Sequence, residues 1–322
     1  MIDDPVLRND WHPVAHVGQL PAAAPLAVRL LGDDLVLWRS GDQICAWRDL
    51  CIHRGTRLSL GRIADQRLAC PYHGWTYAAD GRCVHIPAHP DQSPPAKARA
   101  QTYAVTVAYD LIWVCLGDPA QPVPAFSEWD DPHYRKILCG PYPLAAAGPR
   151  IVENFLDVGH FPFVHEGILG DANYPEIADY TATISADGVL AQGVRVYQPD
   201  PYGTGQGDWV EYTYAVLRPL TARFHKASDA QGFAIILFVT PHTALESSVW
   251  MWMAMNYGHD LNEADLVAYQ DRIFAQDRPI VESQRPELLP LDLQAELHLR
   301  SDRAAIAYRQ WLRERGVRYG VR

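Results

Sequence analysis

The sequence predicts an α+β protein in two parts: a small all-β N-terminal domain, then a larger domain in which an antiparallel sheet surrounds a helix. Three observations carry that expectation. Short alternating runs separated by turn residues fill the chain before Asp118, a proline-rich polar stretch follows, and long alternating runs then lie between two segments of helical character. The boundary is expected near 140, giving domains 1–140, with a linker from about 118, and 141–322.

In the first domain LVLWRS, ICAWRDL, CVHIP and YDLIWVCLG read as strands, with Gly32-Asp33-Asp34, Gly41-Asp42 and Asp80-Gly81 as their turns. From Asp118 through Tyr142, the residues Pro119, Pro122, Pro124, Pro132 and Pro141 are expected to keep the chain extended as a linker. A helix carrying Asn154 to His160 opens the second domain. The strands YTATISADGVLAQGVRVYQ, WVEYTYAVLRPLTARFHKA, GFAIILFVTP and SSVWMWMAMNYG follow. A helix over 262–284 then begins at an Asp260-x-x-Glu263 capping box.

Composition narrows the class. A chain of 322 residues with 48% hydrophobic and 20% charged residues has enough apolar surface for two cores. The polar start MIDDPVLRNDWHPVA lacks a basic-then-apolar signal, and no run reaches the length of a membrane span, so a cytoplasmic enzyme without membrane attachment is expected. A net charge of −10 without a basic stripe argues against nucleic acid as a partner.

The chemistry begins with Cys51-x-His53-x16-Cys70-x-x-His73, set in CIHRG and CPYHGW. Two mixed Cys/His hooks offer one thiolate and one imidazole each, the ligand set of a Rieske [2Fe–2S] cluster, in which two Cys hold one iron and two His the other. Gly55 and Pro71-Tyr72-His73-Gly74 supply the turns. A Cys2His2 zinc site, the main competitor, usually pairs like with like at close spacing. The remaining Cys45, Cys83, Cys115 and Cys139 are left over, and Cys45 and Cys115, in apolar strand contexts, read as buried thiols rather than disulfides.

A second constellation, Asn154-x-x-Asp157-x-x-His160-x-x-x-x-His165, lies in ENFLDVGHFPFVHEG. Non-haem Fe(II) oxygenases hold their metal by two His and one carboxylate and leave positions open for dioxygen. His160 and His165 are the candidate imidazoles. A five-residue step on an unbroken helix would set them about 140° apart, so Pro162 is expected to end or kink the helix between them. Helical periodicity points to the carboxylate: around Asp277, the positions Leu266, Gln270, Ile273, Phe274, Ile280, Val281 and Gln284 share one face. A carboxylate on an apolar stripe wants a cation, either a metal or a buried Arg such as Arg150 or Arg223. Asp265, Asp271 and Glu282 fall on the far side and read as solvated charges.

The two motifs, in this order and separation, resemble the catalytic α-subunit of Rieske non-haem iron oxygenases over essentially the whole chain. Length places the resemblance in the monooxygenase and demethylase branch, with vanillate and dicamba O-demethylases. The stretches CPYHGW, IPAHPD, EWDDP, HFPFVHEG, LGD and SDRAAIAYRQWLRERGVRYGV further resemble the Rieske hydroxylases of saxitoxin biosynthesis. What the resemblance implies is a helix-grip catalytic domain, cluster ligands Cys51, His53, Cys70 and His73, and a mononuclear Fe(II) held by His160, His165 and Asp277. Asp157 would bridge a cluster histidine to an iron histidine across a subunit boundary of a homotrimer, and Asn154 would lie near the iron.

The expected function is insertion of one atom of O2 into a C–H bond of a small heterocyclic or aromatic substrate, as hydroxylation or as O- or N-demethylation. Electrons would come from NAD(P)H through a separate ferredoxin or flavin-containing reductase. A ring-dihydroxylating dioxygenase and a Rieske electron carrier are the alternatives. The cluster of Arg54, Arg57, Arg62 and Arg67 against one Asp65 would suit an acidic redox partner, or simply be solvated. His85, His89, His225, His242 and His259 have no partner at ligand spacing, though His225 and His242 remain open as pocket residues. On VWMWMAMNY, Trp250, Trp252, Ala254 and Asn256 share one face and Met251, Met253 and Met255 the other; core packing is the first expectation, with one of the two faces open as a wall of the substrate cavity. Arg195, Arg218 and Arg223 lack an anion motif, which favours a neutral or cationic heterocycle over a carboxylate.

Overall fold

In the computed structural model, which describes residues 3–201, 203, 205–227 and 231–322, the chain divides into two units, Pro5–Val123 and Pro124–Arg322. The first begins with α1 (Pro5–Arg8), then β1 (His12–His16), β2 (Leu26–Leu30), β3 (Asp33–Ser40), β4 (Gln43–Arg48), β5 (Arg62–Ala64), β6 (Arg67–Ala69), β7 (Thr76–Tyr77), β8 (Cys83–His85), β9 (Thr102–Ala108) and β10 (Leu111–Cys115). One antiparallel sheet runs β1-β10-β9-β4-β3-β2 and a second runs β5-β6-β7-β8. Trp38 and Trp47, both buried, meet edge to face with centroids 4.9 Å apart. Their core extends through Leu58, Leu68 and Tyr77 to Cys51 and Cys70. The small sheet thereby fixes the two loops that carry the Cys/His hooks.

The second unit contains β11 (Arg135–Leu144), α2 (Gly148–Leu156), α3 (Phe161–Val164), β12 (Thr181–Ser185), β13 (Gly188–Gln198), β14 (Asp208–Arg218), β15 (Thr221–Ala227), β16 (Gly232–Thr243), β17 (Glu246–Met255), α4 (Glu263–Ser283) and α5 (Arg303–Arg315). Its seven strands are antiparallel in the order β11-β17-β16-β15-β14-β13-β12. On α2, Phe155 stacks on Phe224 and meets Tyr214 edge to face, which presses this helix onto the sheet.

The expected linker is corrected by β11. Arg135–Leu144 pairs with β17, so the division falls at 123/124 rather than near 140. Pro141 and Pro143 obscured the strand, but an edge strand needs no N–H on its open side. Gly140 sits at the bulge with φ +91°, and a Cβ there would lie 2.5 Å from the Val249 carbonyl.

Two helix details also differ from expectation. Asn262, not Asp260, caps α4, its side chain accepting from the Ala264 N–H at 2.8 Å. Two charges read as solvated instead anchor that helix: Asp271 accepts from the Tyr142 hydroxyl (2.5 Å) and Glu282 from the Ala145 N–H (3.0 Å). Helix α5 lies outside the elements expected above; its Ala304, Ala307, Tyr308, Trp311 and Leu312 follow helical spacing and are buried.

From α5, Arg309 reaches Glu153 of α2 (Nη2 to Oε2, 2.8 Å) and Glu296, while Arg150 reaches Glu296 at 2.7 Å. Arg309 and Arg150 are only 2% and 3% exposed. Removing one member strands a buried charge, so Arg309→Met is expected to cost about 3 kcal/mol. The midpoint of urea unfolding, followed by far-ultraviolet dichroism, measures it; an unchanged midpoint would contradict this.

Candidate active site

The two hooks of the first unit share one backbone pattern. Cys51 N–H donates to the Thr56 carbonyl (2.8 Å) and Gly55 N–H to that of Cys51 (2.9 Å); Cys70 N–H donates to Trp75 (2.8 Å) and Gly74 N–H to Cys70 (3.1 Å). Gly55 and Gly74 both take positive φ, and a Cβ on Gly74 would press on Pro87 at 2.9 Å. The pattern buries both sulfurs, at 1% and 2% exposure, and leaves the imidazoles outward. The rings of His53 and His73 have centroids 4.5 Å apart, and His53 stacks on Trp75 at 4.5 Å.

These groups fit a Rieske cluster on their own chemistry. Burial and the adjacent Cys51 push the Cys70 thiol up, and two close sulfurs in an apolar core are a ligand pair that iron can hold. Desolvation and neighbouring His73 push His53 down, toward the neutral form a metal requires, and its Nδ1 is buried without a partner among the described residues. The Tyr77 hydroxyl lies 3.1 Å from the Cys51 sulfur, and such a hydrogen bond raises a cluster's potential.

In the second unit the chain leaves α2 at Asp157, whose backbone is extended (ψ 123°), before His160. The break therefore precedes both histidines rather than falling between them at Pro162. His160 and His165 instead flank the one-turn α3, and Pro162 occupies its first turn, where no N–H is needed. On α4 Asp277 faces them, its Oδ1 lying 3.3 Å from His160 Nε2 and 3.1 Å from His165 Nε2. All three ligand atoms lie within 4.8 Å of one another. Arg150 and Arg223, the alternative partners for Asp277, are engaged elsewhere, Arg223 with Glu128 and Ser127.

Each histidine's other nitrogen is held. Asp157 Oδ2 lies 3.3 Å from His160 Nδ1, and Gln276 Oε1 lies 2.9 Å from His165 Nδ1. Acceptors at Nδ1 fix the tautomer that points Nε2 inward, which is how metal-bound histidines are oriented. Burial lowers the pKa of His160, but Asp157 and Asp277 outweigh it and raise it to about 9. Asp277 is likewise penalised by burial, yet the two histidines hold its pKa below the usual range. The pocket is thus built for positive charge beside a buried carboxylate, the donor set of a facial iron site. Gln276 escaped the sequence reading because nothing in its position beside Asp277 signals a bond to His165. Gln276→Leu is expected to weaken mononuclear iron binding about 10–100-fold while leaving cluster absorption intact, as read by chelator competition.

Above the triad opens a cavity of about 320 Å³. Its wall follows the strand register, with Lys226, Phe233 and Met255 in one row and Phe224, Ile235 and Met253 in the next. Asn154, Gln198 and Gln270 are its amides. Lys226 was missed by the sequence reading. Its ammonium donates to Gln198 Oε1 (3.2 Å) and the Pro201 carbonyl (3.0 Å), and burial lowers its pKa to about 8. Arg195, Arg218 and Arg223 do not line the cavity, nor do His225 and His242; His242 bonds Ser248 at 2.7 Å. Of the two faces of β17, the methionine face is the one that lines it.

Comparison with known proteins matches a Rieske [2Fe–2S] domain over residues 10–104 and a vanillate O-demethylase oxygenase C-terminal domain over residues 144–318. Methylxanthine N1-demethylase NdmA of Pseudomonas putida is 34% identical across 96% of this chain and 89% of its own length. The chain belongs to the Rieske demethylase oxygenases. NdmB, the methylxanthine N3-demethylase of the same organism, is 32% identical across 97% of this chain and 90% of its own. The structure of Pseudomonas putida NdmA with caffeine superposes with a TM-score of 0.83 at 32% identity, covering 96% of this chain and 91% of that one. These comparisons support the demethylase branch and do not show the finer likeness to the saxitoxin-pathway hydroxylases.

As a Rieske demethylase oxygenase the protein uses a [2Fe–2S] cluster, a mononuclear iron and dioxygen, with electrons from NAD(P)H through a separate oxidoreductase. Among the described residues no helix is long and apolar enough to cross a membrane.

Proposed function

We propose that Cys51, His53, Cys70 and His73 hold the cluster, that His160, His165 and Asp277 hold the mononuclear iron, and that the chain removes an N-methyl group from a flat, oxo-bearing heterocycle. The observation that carries this reading is the triad at the end of a largely apolar, aromatic cavity whose hydrogen-bonding groups include three amides, tyrosine hydroxyls and the Lys226 ammonium, with Asp200 the carboxylate outside the triad. A carboxylate substrate favours the paired donors of a guanidinium, and among the described residues no Arg lines the cavity. The named activities of NdmA and NdmB agree with this substrate class.

The iron, when bound, supplies dioxygen activation with electrons delivered through the cluster. The chain's own residues do the positioning. Phe155, Phe224 and Phe233 offer faces for a planar ring, and Gln270 offers an amide whose Nε2 donates to the Met251 thioether, a weak acceptor, at 3.5 Å. A carbonyl oxygen of the substrate is a better acceptor, so Gln270 would turn it toward the triad. Oxygen insertion at an N-methyl carbon gives an N-hydroxymethyl group, which collapses to formaldehyde and N–H.

The working unit is proposed to be a cytoplasmic homotrimer, with Asp157 linking cluster and iron of adjacent subunits. Formaldehyde release from N-methylated heterocycles and methoxybenzoates, with a matched reductase, tests the substrate reading. Release from the former is expected, and turnover of methoxybenzoates alone would overturn it.

A further inference from the structure

The chain has four methionines, and all but Met1 stand at alternate positions of β17, as Met251, Met253 and Met255. Alternation places them on one face. That face lines the cavity, where each is buried at 3–6% exposure. The Met251 sulfur accepts from Gln270 Nε2 at 3.5 Å. Gln270 precedes Asp277 by two turns on the same face of α4, about 10 Å along the helix. Among apolar side chains a thioether is the one most readily oxidised, and the other apolar groups of the lining are mainly Leu, Ile and Phe, with four tyrosines beside them.

We propose that Met251, with Met253 and Met255 beyond it, is an oxygen-acceptor site that is modified when the oxygenase turns over without a substrate C–H bond in the cavity. The reaction is thioether plus O2, two electrons and two protons, giving sulfoxide and water. The O–O bond breaks and an S–O bond forms. Sulfur is oxidised by two electrons, the reductase supplies the other two, and the second oxygen atom leaves as water. Met251 is the first target because its sulfur is held on the α4 face that leads to the triad. A sulfoxide is polar and chiral, so the modified wall binds an apolar ring less well. The inference rests on the iron assignment proposed above.

The holoenzyme is cycled with reductase, NADH and isotopically heavy dioxygen, without substrate and with catalase present, then digested and mapped by mass spectrometry. Heavy oxygen is expected at Met251 first, as a mass gain of about one oxygen atom, and Met251→Leu should move the label to Met253. Asp277→Ala, retaining the cluster, should show none. Oxygen consumption above that of Asp277→Ala without label on any of the three methionines overturns the inference and leaves the oxygenase reading intact. Equal label in Asp277→Ala overturns it as adventitious oxidation. If neither oxygen consumption nor label differs between the two proteins, the iron assignment falls as well.

Discussion

Asp277→Ala is expected to abolish turnover while leaving the protein brown. The Asp277 carboxylate is the only anion among the three inward-facing groups, with both Nε2 atoms 3.1–3.3 Å from its Oδ1. Without it, two neutral imidazoles face a buried site with no charge to offset that of Fe(II). The loss should exceed the roughly 10–100-fold cost of deleting a supporting hydrogen bond, bringing activity to background. Iron analysis should fall from three to two per chain with the Rieske absorption unchanged. Cys51→Ser or His73→Ala should do the converse, removing the absorption and sparing the mononuclear iron. Retention of three irons in Asp277→Ala, or loss of both signals from a folded protein, would contradict the assignment.

Asp157→Asn should separate metal binding from electron delivery. One Asp157 oxygen accepts from the Gly159 N–H at 2.7 Å and the other faces His160 Nδ1, while its side chain remains 45% exposed. That exposure leaves room for a second imidazole, in the proposed trimer His73 of the partner subunit. The amide keeps the size but loses the charge that holds an imidazole N–H on each side. All iron should remain, and turnover should fall at least about 10–100-fold. The defect should lie in reoxidation of a prereduced cluster, followed by stopped flow with substrate and oxygen. Wild-type reoxidation in the variant, or full activity in a species whose light-scattering mass is one chain, would refute the bridge.

Legibility in the sequence followed the range of each interaction. The cluster hooks were readable because each is closed by hydrogen bonds within five residues, as the Cys51–Thr56 and Cys70–Trp75 loops show. The strand region from 180 to 256 was readable because alternation is local, but the runs 180–198 and 209–227, each read as one strand, fold as the pairs β12–β13 and β14–β15. Asp277 was readable as an inward carboxylate from periodicity alone. Strand β11 was not, because its prolines signal a linker and only its pairing with β17 makes it a strand. Nor was the break before His160, which depends on Asp157 folding back onto Gly159 N–H.

By itself the sequence determined the candidate ligand types, their order, the α+β class and the helix that presents Asp277, because those depend on spacing and on periods of two and 3.6 residues. Tertiary structure decided which neutral groups orient the ligands and what lines the cavity. Gln276 meets His165 across 111 positions of chain, and Lys226 meets Gln198 across 28. The methionine face acquired a role only when β17 was placed opposite Gln270 of α4. Contacts of this kind join residues from separate elements, and their partners are chosen by packing, which no local pattern records.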